Sequence, residues 1–377
     1  MKQYKYLTAL LLLCALFLSA CGTGKSQGAN QGGGTDTDST VTSLPAGETD
    51  GAQDGNMASH LEPLYDPQSN SLTLTDLASN TILVSYPFDS NQFVLSTDKV
   101  ENGVVVLATA EAQDSDSANQ NGVLIQSVDS DEKITVYRFD QQLNLRDSFC
   151  LDDSSFPDTL VSYPLAVSRD GNTLTWVQED GIYRYVLETG DLKQVTLDLP
   201  ETVYFDQIRY SGDGKSLFYF GGSEQENVIV YGALDVETGK GTLFHAKDFD
   251  PSSITVTGNY AVVNAAVPPG ALSGNGHVLF IDCGANAGNE ITLKSQDEND
   301  LAAVTEDGKT LVACADTDSK SGVLRLYDTA SGDFKSELSY SCEQEGIPYL
   351  LLVQGQTAQV VLRTEQGFTL SSPVSLP

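Results

Sequence analysis

The chain has 377 residues, with 20 Lys and Arg against 52 Asp and Glu, and a formal net charge of -32. Phosphate-backbone binding needs clustered Lys and Arg, and even short basic runs are missing here, which argues against any nucleic-acid partner. An anionic membrane surface should repel such a chain as well, so contact with lipid needs an anchor.

In chain order, Lys2 and Lys5 precede an apolar run from Leu7 to Leu18, which ends in Leu18-Ser19-Ala20-Cys21. The run is roughly a dozen residues, short of the about 20 that cross a bilayer as a helix, so it reads as a secretion signal. Leu-Ser-Ala-Cys resembles the lipobox of bacterial lipoproteins, where small residues admit the processing peptidase and the Cys thiol receives a diacylglycerol. The resemblance implies a signal peptide over residues 1–20, lipidation at Cys21, and a location on the extracytoplasmic face of the cell membrane. Acyl chains worth about 0.8 kcal/mol per buried methylene hold a protein firmly once two signals combine. Residues 21–62 then form an acidic tether rich in Gly, Ser and Thr, exemplified by Gly32-Gly33-Gly34-Thr35-Asp36. Such a segment buries too little apolar surface to offset backbone ordering, so no fold is expected there. About 40 residues of flexible coil reach roughly 35 Å, enough to clear the lipid headgroups.

From residue 63 to 377 the pattern becomes short alternating strands, and it repeats. Ser168-Arg169-Asp170-Gly171-Asn172-Thr173-Leu174 returns as Ser211-Gly212-Asp213-Gly214-Lys215-Ser216-Leu217 and as Thr305-Glu306-Asp307-Gly308-Lys309-Thr310-Leu311, with a weaker copy at Thr257-Gly258-Asn259. The Asp-Gly pair supplies the positive φ of a tight hairpin, and the residues after it alternate as a strand. Spacings of about 43, 44 and 50 residues fall near the period of one four-stranded propeller blade. A second turn follows about 19 to 25 residues downstream, at Gly190, Gly239 and Gly332, within Glu-Thr-Gly-Asp, Glu-Thr-Gly-Lys and Ala-Ser-Gly-Asp. Two phased turns per period resemble the WD40-like repeats of TolB and YncE-type propellers, over about residues 160 to 340. Ser168 to Gly171 shares letters with the sialidase Asp-box, but Gly171 directly follows Asp170 instead of standing two places on.

The resemblance implies an all-β single propeller of four-stranded blades. Counting first hairpins gives six blades, and dividing about 315 residues by a period of about 45 gives seven. At the edges, Leu74 to Asn80 copies only the second hairpin and Tyr349 to Gly367 only the first. An N-terminal strand completing the last blade would close the ring and remove open edges. Segment 92–150 reads as a further blade with an acidic insertion at Asp114 to Asn121 and an extra strand near Val123 to Val128. No stretch past the signal peptide keeps an apolar 3.6-residue period for three turns.

Catalytic signals are weak. The histidines are His60, His245 and His277, and the chain has no Gly-x-Ser-x-Gly, His-Glu-x-x-His or P-loop, so no catalytic residue is assigned. Asp297, Glu298 and Asp300, or Asp114 and Asp116, lack EF-hand spacing and read as solvated loops, so neither a metal site nor a cofactor is expected. Cys150, Cys283, Cys314 and Cys342 allow three full pairings, and Cys283 and Cys314 sit in strands as buried thiols do. The expected function is a membrane-anchored binding or scaffold module for an envelope protein or peptide. An exported enzyme acting on glycans or a lactone, or a structural envelope component, are the alternatives.

Overall fold

A computed structural model describes residues 61–377 apart from 77–78, 80, 111–132, 152–155, 157–162, 225–227, 266–275, 295–300, 319 and 366. The signal peptide, Cys21, His60, nearly all of the tether and the insertion within 111–132 lie outside the described residues. So do Asp297, Glu298 and Asp300.

Every regular element among the described residues is a strand, and the strands fall into seven sheets in chain order. The first sheet holds β1 (Leu61–Asp66), β2 (Ser71–Asp76) and β3 (Thr81–Pro87). The second holds β4 (Gln92–Val100), β5 (Gly103–Ala110), β6 (Ile134–Phe139) and β7 (Leu145–Leu151). The third holds β8 (Leu165–Val167), β9 (Thr173–Gln178), β10 (Gly181–Val186) and β11 (Leu192–Thr196). Next come β12 (Tyr204–Tyr210), β13 (Ser216–Gly222), β14 (Val228–Asp235) and β15 (Gly241–Lys247). The fifth sheet is β16 (Pro251–Thr257), β17 (Tyr260–Ala265), β18 (His277–Asp282) and β19 (Ala287–Thr292). The sixth is β20 (Ala302–Val304), β21 (Thr310–Asp318), β22 (Ser321–Asp328) and β23 (Phe334–Ser341). The last is β24 (Ile347–Gln354), β25 (Thr357–Thr364), β26 (Gly367–Leu370) and β27 (Val374–Ser375). Neighbouring strands pair antiparallel, as hairpin connections require.

Side chains alternate across each strand, so the middle of each sheet is apolar on both faces and packs against two neighbours. On β5, Val104, Val106 and Ala108 meet Leu72 and Leu74 of the first sheet. Val105 and Leu107, between them in sequence, meet Leu174 and Trp176 of the third. The same alternation sends Phe218 and Phe220 toward the fifth sheet and Leu217 and Tyr219 toward the third. Seven apolar clusters result, one at each junction between consecutive sheets, including the junction of last with first. An open arc of seven sheets would have six junctions, so the seventh cluster, Leu64 with Val361 and Leu370, closes a seven-bladed ring.

The first strands of sheets two to seven line the middle of the ring and touch in sequence. Their following turns are joined as well: Glu101 N donates to Arg169 O at 2.8 Å and Gly212 N to Gly258 O at 2.6 Å. Glu306 accepts from Gly355 N at 3.2 Å. A Cβ on Gly212 would lie 2.8 Å from the Cα of Gly258, so this approach requires glycine.

The count of seven, against the sequence tally of six first hairpins, comes from the first sheet. Its β1–β2 turn, Asp66 to Asn70, with Asn70 at a φ of 46°, is not a counterpart of the Asp-Gly first hairpins. Lys99 near the end of β4 bonds Leu61 O at the start of β1, while the Asn70 amide reaches Gln92 O at the start of β4. β1 therefore runs opposite to β4, and the first sheet holds what are strands two to four elsewhere. In the last sheet, β26 and β27 lie end to end along one flank of β25, separated by Pro373, which has no N–H to donate.

The expected strand exchange between the chain ends is not made by β1, β2 or β3. These pair only among themselves, and the contacts between the two end sheets include the Leu64 cluster and the Tyr349 hydroxyl donating to Tyr65 O at 3.1 Å. Side-chain packing and the Tyr349 hydrogen bond therefore hold first sheet to last in place of a shared strand.

Candidate binding site at the ring mouth

The two turn types of the repeat share one face of the ring. In each of three blades a backbone N–H from the second turn bonds the first: Leu187 to Asn172 O at 2.8 Å, Val236 to Lys215 O at 3.0 Å, and Thr329 to Lys309 O at 3.3 Å. Asp170 accepts the Ser168 hydroxyl and the Asn172 N–H. Asp213 and Asp307 repeat this with Ser211 and Lys215 and with Thr305 and Lys309. Gly171, Gly214 and Gly308 take φ of 73°, 71° and 71°, and Gly190, Gly239 and Gly332 take 74°, 70° and 74°. At Gly239 a Cβ would also sit 2.0 Å from Thr196 O. These residues build the joints between strands.

On the opposite face the innermost strands begin. A cavity of about 220 Å³ opens there, lined by Leu95 and Ser96 of β4, Tyr163 to Leu165 leading into β8, and Asp206 to Arg209 of β12. Tyr204 and Ile347, at the starts of β12 and β24, are 49% and 66% exposed on this face. Both are large and apolar, and both sit where a partner would meet the ring.

The carboxylates near the ring axis differ sharply from those in the turns. Burial pushes the Asp98 carboxyl up, against the pull of Arg209 and of the Ser96 hydroxyl, which donates to it at 2.8 Å. Asp98 keeps some accessible surface, but the surrounding ring displaces most of its hydration, and the desolvation outweighs the cation. Asp206 is pushed up by desolvation alone. It makes no hydrogen bond or ion pair among the described residues. Glu62 on β1 is raised by burial despite Lys99 at 2.9 Å.

The two described histidines stand in side-chain pairs with glutamates: His245 Nε2 lies 2.8 Å from Glu201 and His277 Nε2 3.7 Å from Glu290. Cys150, Cys283, Cys314 and Cys342 form no disulfide with one another; Cys314 is buried and Cys150 exposed. No group of three His, Cys, Asp or Glu fit to hold a metal ion occurs among the described residues.

Sequence reading passed over Asp98, Tyr163, Asp206 and Arg209. Their one sequence signal is position: Asp206 and Arg209 lie in Tyr204-Phe205-Asp206-Gln207-Ile208-Arg209-Tyr210, the strand leading into the Ser211 turn, where ionisable residues interrupt an otherwise aromatic and apolar run.

No protein-family model matches the sequence, and no curated protein matches it. Solved structures do. Kuenenia stuttgartiensis hydrazine synthase superposes with a TM-score of 0.53 at 12% identity, over 87% of this chain and 98% of that one. The β-propeller domain of Myceliophteria thermophila Cps50 (Swd1) gives 0.50 at 10% identity, over 84% and 94%. The fold is a WD40-like β-propeller. At such identities the likeness extends to architecture and leaves the chemistry to this chain's own residues.

Proposed function

We propose that the chain is a lipid-anchored, extracytoplasmic propeller of TolB/YncE-like type that binds an envelope protein or peptide across the ring face where the innermost strands begin. The propeller fold commonly serves protein interaction, since loops from every blade converge on a rigid rim. The observation that carries the reading is the meeting, on one face, of a concave polar cavity with the exposed Tyr204 and Ile347. Aromatic and aliphatic anchors around a pocket are the residue types on which interface energy concentrates. The anchor rests on Leu18-Ser19-Ala20-Cys21 and on the acidic composition, which leaves a lipid as the means of holding the chain at a membrane.

Two measurements test this. Cys21→Ser should abolish acyl labelling and leave unprocessed precursor, and acylated mature protein from that variant overturns the anchor. Crosslinking of the full chain in cells, read by mass spectrometry, should return one dominant envelope protein. A second reading, an exported enzyme acting on glycans or a lactone, draws on the raised carboxyls of Glu62, Asp98 and Asp206. Absence of a crosslinked partner together with turnover of a glycan or lactone library would establish it instead.

A further inference from the structure

We propose that the cavity among β4, β8 and β12 is a socket for one basic side chain, a lysine or arginine, of a peptide partner. The proposal deepens the binding reading above and rests on it.

Charge balance points to a cation. Arg209 acts on Asp98, and its Nη1 donates to Ile208 O at 3.2 Å. Asp206, on the same cavity wall and open to solvent, has no ion-pair partner among the described residues, so the cavity carries one carboxylate that only water answers. Around it stands a chain of net charge -32, whose field draws cations toward a concave, partly dehydrated opening. An anion would have to compete with Asp98 for Arg209 and would face Asp206 as well.

Shape and lining narrow the class further. Pockets for drug-sized ligands run to about 300 to 1,000 Å³, and this one, at about 220 Å³, suits a single side chain. Leu95 and Leu165 offer apolar wall for an aliphatic stem, and Tyr163 offers an aromatic ring for a cationic head. Among the described residues a hydrated metal ion finds no third ligand here. A chain flanking the inserted residue would run onto Tyr204, which lies two positions from Asp206 on the rim.

The test uses the detergent-solubilised full chain and three probes: the N-acetyl methylamides of lysine, norleucine and glutamate. Binding is followed by saturation-transfer NMR. The lysine probe should bind and the other two should not. Asp206→Asn should weaken lysine binding about tenfold or more, the scale of one charge-assisted hydrogen bond. Asp206→Glu should retain it. Asp333→Asn, on a turn of the opposite face, controls for general attraction to an acidic protein and should leave binding unchanged. Equal binding of norleucine, or equal losses from Asp206→Asn and Asp333→Asn, overturns the socket. Native fluorescence of Trp176 reports that each variant is folded. A crosslinked partner whose yield ignores Asp206→Asn defeats the socket while sparing the binding function; absence of any partner defeats the function, and the lysine probe still decides the socket.

Discussion

Two populations of carboxylate carry opposite signs in the stability of this protein. In the turns, Asp328 accepts N–H bonds from Ser331 and Ala330 and faces Lys335, which together hold its carboxyl down to about 2. Its stabilising effect is complete above the ordinary carboxylate range and disappears as pH falls through that lowered value. Asp206 behaves in reverse, because desolvation raises its carboxyl and ionisation opposes folding. Its cost is present at neutral pH and is relieved as pH falls through the raised value toward that of the unfolded chain. Urea midpoints across pH should therefore diverge. Asp206→Asn should be more stable than the parent at pH 7, with the gap closing in acid. Asp328→Ala should be less stable at pH 7, and part of its deficit should vanish in strong acid. A gap of the same sign for both variants at pH 7 would contradict the assignment.

At the scale of the strand, each blade depends on alternation delivered to two different neighbours. β5 shows why: five successive buried residues, Val104 to Ala108, divide between two junctions. The closing junction is the smallest, with three fully buried residues. Leu64, 2% exposed, is the sole contribution of β1 to that buried set. Leu64→Ala should cost about 2 to 5 kcal/mol, the usual range for a buried leucine. Because no described strand of the first sheet pairs with the last, this loss should open the ring locally. Hydrogen exchange should rise in β1 and β24 to β26 before the central sheets, and uniform protection across all seven sheets would refute packing as the described closure.

Across the whole molecule, charge opposes compactness. A net charge of -32 repels itself at low salt, and the Debye length falls from about 30 Å at 0.01 M to about 8 Å at 0.15 M. Surface ion pairs such as Lys193 with Glu237 are exposed and contribute little. The melting midpoint should therefore rise with sodium chloride over that range. A fall would mean that ion pairs outweigh repulsion.

The repeat itself was legible along the chain because its joints are local. Asp-Gly turns and their partner turns are fixed by backbone dihedrals and by hydrogen bonds spanning two to five residues, as at Asp213 with Lys215 and Ser211 with Ser216. Hence the β class and the blade period could be read without coordinates. The blade at the N-terminal end was half hidden because its sheet begins with what is the second strand elsewhere and so lacks the first, Asp-Gly hairpin. Blade number, mode of closure and the cavity waited for the tertiary structure, since each is a relation between strands far apart in sequence. Leu64 meets Val361, and Ser96 comes beside Asp206, only once seven sheets have turned a full circle. No local preference encodes that meeting; shape-complementary burial at every junction sets the angle between blades, and the angle decides where the circle ends.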